Sequence, residues 1–472
     1  MEGLRFYIKT YGCQMNVYDS DKISLLLTQN GFVCTQVLDD ADIVILNTCH
    51  IREKAKHKIY TELGYLRIRK EARTASGKYL LIAVGGCVAQ AEGRRLTEAA
   101  PFVDIVFGTQ TYHLLPDMIE AALDNRGGEY VRSGELDNDL LEYPRSRAAV
   151  KASPRLVNIS LSDEDKFQFL PNSTSSNGAA FLAIQEGCNK FCTYCVVPYT
   201  RGREISRDAP SILHEAQLMA KSGVREITLL GQNVNAYNWK DSESAWSFAS
   251  LVRKVCEIDG IQRVFYTSSH PVDVTLDAIK AHAELPQLMP FWHLPVQSGS
   301  TRVLGAMNRH YSADDYKRMI DTIRQYNPNI AMCSDFIVGF PDETEEDFEQ
   351  TLDLVRYVNY AQAFSFKYSP RPNTVAAGMS NQIDEEIKSE RLQRLQDLLR
   401  QQQTQFNKQC VGTTLSVMFQ KYGKEPNQIL GKSQFMQSVV VHTTSPDQYF
   451  NLIRDVKITG ATLSSLEGEI IS

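Results

Sequence analysis

The sequence predicts an α/β protein in three parts: an amino-terminal α/β domain, an open partial (β/α)6 barrel and a small carboxyl-terminal β-barrel. Three patterns lead there. In residues 1–123 short apolar runs are each followed by a cysteine; from residue 178 short apolar strands alternate with longer amphipathic helices; beyond residue 401 short β-type runs lie between turn-rich connections. A chain of 472 residues is long enough to give two or three such domains a core each.

In the first part, residues 5–10 read as a strand and 20–29 as a helix, and 43–46 and 79–84 are apolar runs of the length of buried parallel strands. The strand-like runs lead into Thr10-Tyr11-Gly12-Cys13, Asn47-Thr48-Cys49 and Gly85-Gly86-Cys87. Carboxyl ends of parallel strands share one edge, where ligands sit, so Cys13, Cys49 and Cys87 are able to meet although far apart in sequence. Gly12 and Gly86 let the backbone approach a bulky inorganic group. A metal cluster and three buried packing cysteines both remain open on this pattern; Cys34, Cys256, Cys333 and Cys410 read as packing cysteines. The basic stretch from Ile51 through Arg67, Arg69, Lys70 and Arg73 reads as a helix with either a solvated or a phosphate-contacting face. Residues 124–177, including Asp137-Asn138-Asp139, read as a linker with ordered parts.

The second part, residues 178–400, offers six strands at 180–184, 226–230, 263–267, 291–294, 331–338 and 363–368, with helices at 211–222, 273–284, 313–326 and 345–358. Six units are too few for the usual eight-unit closure, hence an open barrel. Its functional face is the set of loops after the strands: Gly231-Gln232-Asn233-Val234-Asn235, Ser268-Ser269-His270-Pro271, Pro295-Val296-Gln297-Ser298-Gly299-Ser300 and Gly339-Phe340-Pro341. His270 and His293 read as hydrogen-bonded structural histidines in preference to ligands.

After the first strand comes Gly187-Cys188-Asn189-Lys190-Phe191-Cys192-Thr193-Tyr194-Cys195, a Cys-x3-Cys-x2-Cys loop. Three thiolates so close can be drawn round one soft metal centre, a spacing that packing does not ask for. With no fourth ligand nearby, they suit three irons of a [4Fe-4S] cubane and leave one iron open. At a barrel mouth such an iron suits S-adenosylmethionine, whose amino and carboxylate groups chelate it. One-electron reduction then yields a 5′-deoxyadenosyl radical, chemistry the cofactor supplies while the protein orients it.

The formal charge of -6 gives no support to nucleic-acid binding as a bulk property, so RNA contact must come from local patches. Ten cysteines are too sparse for a secreted disulfide framework, and no signal peptide or run of membrane length is evident, so a cytoplasmic protein without membrane contact is expected. A helix-like stretch at 383–405 leads into the third part, residues 401–472, where 415–419, 438–441 and 455–458 are strand-like; small barrels of this kind often bind oligonucleotides.

Cys188, Cys192 and Cys195, with Tyr194 before the last, resemble the signature loop of radical S-adenosylmethionine (SAM) enzymes. Over nearly its full length the chain resembles the methylthiotransferases among them. The stretches from Thr10 to Asn16, Asn47 to Ala55 and Cys195 to Gly202 are similar to the branch that converts N6-isopentenyladenosine next to the tRNA anticodon to its 2-methylthio derivative. The resemblance implies two [4Fe-4S] clusters, the second held by Cys13, Cys49 and Cys87 and carrying the sulfur, and a carboxyl-terminal TRAM domain. It implies one S-adenosylmethionine to methylate the sulfur and another to be cleaved. It also implies a cofactor pocket of Tyr194, Gly231, Gln232, Asn233, Gln297, Ser298 and Val338, with Arg201 on substrate or cofactor. Implied partners are the isopentenylated tRNA, a flavodoxin- or ferredoxin-like electron donor and iron-sulfur assembly proteins. Asp342, where the family commonly has glycine, and His50, where many members have serine, depart from the pattern. The alternatives are methylthiolation of threonylcarbamoyl-adenosine or of a ribosomal protein, and a non-catalytic RNA-binding protein with zinc on its cysteines.

Overall fold

A computed structural model describes residues 3–49, 53–124, 141–142, 155–161, 166–173 and 177–471. It divides into two compact units, Met1–Ser173 with Val196–Ile205, and Thr174–Cys195 with Ser206–Ser472. His50, Ile51, Arg52, the Asp137-Asn138-Asp139 run and Thr174-Ser175-Ser176 lie outside the described residues.

The first unit is built on a seven-stranded sheet of β1 (Arg5–Thr10), β2 (Val33–Cys34), β3 (Ile43–Thr48), β4 (Leu81–Gly86), β5 (Ile105–Phe107), β6 (Leu141–Glu142) and β7 (Arg155–Asn158), in the order β2-β1-β3-β4-β5-β7-β6. Every pairing is parallel except that of β6 with β7. Alternate residues feed two apolar layers. Phe6, Ile43, Ile45, Leu81 and Ala83 pack on one face with Ile23 and Ile119, and Val44, Leu46, Ile82 and Val84 on the other with Ile59 and Leu63. The short run at β7 lies in the span read as a linker and has too few apolar residues to announce a strand. The helix Gln14–Gln29 starts six residues before the expected 20–29, because its first turns hold the buried polar residues Asn16 and Asp19, which break the apolar period. In the basic helix Glu53–Ala75, Lys70 Nζ donates to Asp104 Oδ1 at 2.6 Å, Arg73 to the Ala41 carbonyl at 2.5 Å, and Arg69 pairs with Asp39. These three cations serve the fold.

In the second unit the six barrel strands are Ala179–Ala183, Glu226–Leu230, Arg263–Tyr266, Phe291–His293, Ala331–Val338 and Gln362–Lys367. They form two parallel three-stranded ladders joined by a single bridge between Val264 and Leu288. The amphipathic helices start at side-chain caps such as Asp208, Thr275, Ser312 and Thr344, which satisfy first-turn N–H groups. Leu229, Tyr266, Trp292, Phe336 and Val338 pack outward under these helices. The opposite faces supply Phe265, Phe291, Ala331 and Cys333 to a second cluster, which Phe406 of the helix Glu385–Gln409 and Phe435 and Met436 join. Arg263, paired with buried Glu226 at 2.9 Å, donates to the carbonyls of Lys432 and Ser433 at 3.2 Å. The lumen is thus filled where the strands begin and its loops lie where they end. Residues 414–470 form the expected small barrel, a closed five-stranded one.

Candidate cluster sites

The Cys188–Cys195 loop is held by side chains of the barrel mouth. The Gly187 N–H donates to Gln232 Oε1 at 2.6 Å, Lys190 Nζ bonds Asp273 at 2.7 Å, and Asn308 Nδ2 donates to the carbonyls of Lys190 and Phe191, each at 3.2 Å. Thr193 pairs its backbone with Met307 and Ala376. Arg309 escaped the sequence reading. Buried, it donates to Cys192 Sγ at 3.4 Å, the Pro295 carbonyl at 2.7 Å and Tyr311 Oη at 3.0 Å, placing a fixed positive charge behind a thiol. Only its place after a short helix signalled it. Cys192 is buried, and Cys188 and Cys195 are partly exposed.

The residues expected to form the pocket differ in placement, and Val338, buried in the apolar layer under the helices, faces away from the lumen. A Cβ on Gly231 would lie 2.5 Å from Gln185 Oε1, which accepts from the N–H groups of Gln232 at 2.9 Å and Asn233 at 3.2 Å. Asn233 donates to Asp273 at 2.7 Å and accepts from the His270 N–H at 3.1 Å. Gln297 is held at φ 79°, and Ser298 turns into the fold, its Oγ 3.3 Å from Thr351 Oγ1. Val338 is buried, and burial raises the Tyr194 phenol. Both amide atoms of buried Asn235 and Nε2 of His270 have no hydrogen-bond partner among the described residues. Burial foremost, then the charges of Arg309 and Lys190, push His270 down to about 2, so it is neutral. Buried polar atoms left open beside a thiol-rich loop fit a polar small molecule such as S-adenosylmethionine.

In the first unit, β1, β3 and β4 are neighbours, with Thr10 in register with Asn47 and Thr48 with Gly86. Cys13, Cys49 and Cys87 follow their carboxyl ends, and Cys13 and Cys49 flank the point where the strand order reverses, the ligand position of doubly wound sheets. A Cβ on Gly12, at φ 128°, would fall 2.2 Å from Cys49 Cβ and 3.0 Å from its Sγ. Buried Asn16 accepts from Cys13 Sγ at 3.2 Å and donates to the Thr48 carbonyl at 3.1 Å. Arg201, from the helix Val197–Arg201, donates to Asp19 Oδ2 at 2.6 Å, the two side chains being 3% and 4% exposed. Cys13 is held down to about 6, by its hydrogen bond with Cys49 foremost and by the Arg201 charge against burial. Burial pushes the Cys87 thiol up while Arg201 works to lower it. Cys49 and Cys87 are 2% and 5% exposed and Cys13 is open to solvent. Among the described residues the three thiols have Arg201 as a neighbouring cation, a set that suits a thiophilic, anionic cluster. Among the described residues no three Cys, His, Asp or Glu side chains close on one point as ligands of a single metal ion do.

Residues 5–108 match the family described as Uncharacterized protein family UPF0004, and residues 182–355 match the Radical SAM superfamily. A tRNA-2-methylthio-N(6)-dimethylallyladenosine synthase of Rickettsia canadensis (strain McKiel) is 48% identical over 469 residues, 99% of either chain. Among solved structures, the cobalamin-dependent S-adenosylmethionine radical enzyme OxsB aligns with a TM-score of 0.53 at 13% identity, over 84% of this chain and 56% of its own. The radical S-adenosylmethionine methyltransferase TsrM from Kitasatospora setae gives 0.52 at 14%, over 88% and 81%. At that identity the two structures speak for the fold alone.

Proposed function

Because the chain belongs to the tRNA-2-methylthio-N(6)-dimethylallyladenosine synthase family of radical SAM enzymes, we propose that it divides one reaction between its two cysteine trios. It is a tRNA methylthiotransferase that places a methylthio group on C2 of isopentenylated adenosine, with S-adenosylmethionine and a [4Fe-4S] cluster. Full-length identity to an enzyme named for dimethylallyladenosine favours this substrate over threonylcarbamoyl-adenosine and over a ribosomal protein.

Cys188, Cys192 and Cys195 would hold the barrel cluster and Cys13, Cys49 and Cys87 a second one. When bound, the first group with S-adenosylmethionine supplies the one-electron cleavage that opens a C–H bond, and the second supplies the sulfur. The observation that carries this reading is that Cys13, Cys49 and Cys87 follow three adjacent strand ends, with Arg201 acting on Cys13 and Cys87. Arg201 faces the anionic charge of that group, fixed by Asp19; Arg309 does the same behind Cys192. Gly12 keeps the backbone clear of the Cys49 thiol, Gly86 lets the strand end lie close against Thr48, and Asn235 and neutral His270 offer uncommitted polar atoms to the cofactor. The filled base of the lumen leaves reactants one way in and limits water. A flavodoxin- or ferredoxin-like donor, iron-sulfur assembly proteins and a cytoplasmic location complete the proposal. No described helix is long and apolar enough to cross a membrane.

Mass spectrometry of tRNA from cells lacking the protein tests it. The 2-methylthio derivative should disappear while isopentenyladenosine accumulates; an unchanged level of the derivative contradicts the assignment.

A further inference from the structure

One face of the barrel wall carries apolar side chains that the fold leaves uncovered. In the fifth and sixth barrel strands Asp335 is in register with Phe364, and Ile337 with Phe366. Phe336, which lies between Asp335 and Ile337, and Ala363, which precedes Phe364, pack outward in the layer under the helices, so the four side chains of opposite parity face the lumen. Lower on the same face, Ala331 and Cys333 belong to the filled base. Above that base the wall consists of Phe364 and Phe366, 42% and 40% exposed, beside Asp335 and Ile337. From the fourth strand, in register at Cys333, His293 brings Nε2 to 3.3 Å from Asp335 Oδ2 without making a hydrogen bond. Ile337 packs on the same cluster of Val303, Met307 and Phe340 as Tyr194, the residue before Cys195. An uncovered aromatic pair on the inner face of a barrel marks a binding wall, and here it stands beside a carboxylate near the cysteine loop.

We propose that this wall reads the modified base: Phe364, Phe366 and Ile337 take the dimethylallyl group on N6, and Asp335, beside His293, accepts the N6–H. The inference rests on the reading of the chain as an isopentenyladenosine methylthiotransferase. The wall's chemistry selects in two ways. A branched apolar group gains from leaving water against phenyl faces, which the unmodified adenosine does not. A threonylcarbamoyl group on the same nitrogen brings a carboxylate toward Asp335, a like-charge meeting in a lumen of low dielectric that opposes the wrong base.

The test is equilibrium binding of the holoenzyme to anticodon stem-loop RNAs carrying dimethylallyladenosine, unmodified adenosine or threonylcarbamoyl-adenosine. Wild type should prefer the dimethylallyl RNA over the unmodified one by about tenfold or more, the size of discrimination an apolar pocket gives. Phe364→Ala with Phe366→Ala should erase that preference, and Phe364→Leu should keep most of it. Asp335→Asn should raise affinity for the threonylcarbamoyl RNA. A double variant with a normal thermal melt that still prefers the dimethylallyl RNA overturns the proposal, as does an Asp335→Asn enzyme with unchanged affinities. Should the double variant not fold, Phe364→Ala alone, which should lose part of the preference, and Asp335→Asn decide, unchanged affinities in either overturning the proposal. If wild type methylthiolates isopentenylated tRNA and the variants behave as wild type, the wall alone is wrong; if wild type does not, the reading beneath it is wrong.

Discussion

In the proposed division of labour the loop at Cys188–Cys195 and the trio of Cys13, Cys49 and Cys87 would solve one problem, presenting three thiols to one group, by opposite means. The loop brings its thiols together by sequence spacing and relies on surrounding side chains, Gln232, Asp273, Asn308 and Arg309, to hold its shape. The trio relies on a sheet: β1, β3 and β4 lie side by side, and register sets where the thiols emerge. What the loop needs from its neighbours is orientation; what the trio needs is charge, because two of its thiols are buried and a cation that acts on the trio, Arg201, is itself buried against Asp19.

That contrast can be broken most forcefully at Arg201. Arg201→Met should leave the Asp19 carboxylate buried without its main partner, at a cost of about 3 kcal/mol. Lys166 Nζ, 3.8 Å from Asp19, offsets part of this. Adding Asp19→Asn should recover much of the loss. Urea unfolding measures both, and a single variant as stable as wild type would mean the pair does not anchor the site. The loop should be less sensitive. Arg309→Lys keeps a cation and loses the fork that joins Cys192, Pro295 and Tyr311, costing about 2 kcal/mol. Its signature is iron lost from the barrel site on gel filtration after reconstitution, and wild-type iron retention contradicts it.

Asp342 gives the smallest effect and sharpens the comparison, since its loop serves neither trio directly. It occupies φ 66°, where glycine is at ease, and is held by Arg302 Nη1 at 2.7 Å and Asn381 Nδ2 at 3.2 Å. The departure from glycine is thus matched by partners of its own. Asp342→Ala, which keeps the strain and loses the bonds, should melt lower than Asp342→Gly, which loses both; the reverse order in calorimetry would show that φ 66° carries no strain at this position.

The two trios were unequally legible. Cys188, Cys192 and Cys195 declare themselves by spacing, whereas Cys13, Cys49 and Cys87 required the inference that three apolar runs lie parallel and share an edge. Strand bounds at Arg5–Thr10, Glu226–Leu230 and Ala331–Val338 followed the apolar runs closely. What stayed hidden was polar and non-local. Asn16 and Asp19 disguised the start of their helix. Arg309 depends on a partner more than a hundred positions away, and Arg201 meets Asp19 from a segment 182 residues further along the chain. Such pairs have no period to read, since only the tertiary fold brings them together.

The central claim, that one trio opens the C–H bond and the other supplies the sulfur, is tested most directly by replacing Cys13, Cys49 and Cys87 together with alanine. The variant is then reconstituted anaerobically with reductant, S-adenosylmethionine and isopentenylated tRNA, and 5′-deoxyadenosine and methylthio product are counted alongside iron. The account predicts half the iron, continued 5′-deoxyadenosine and no methylthio product. Methylthio product at the wild-type level, from a variant with half the iron, would contradict it.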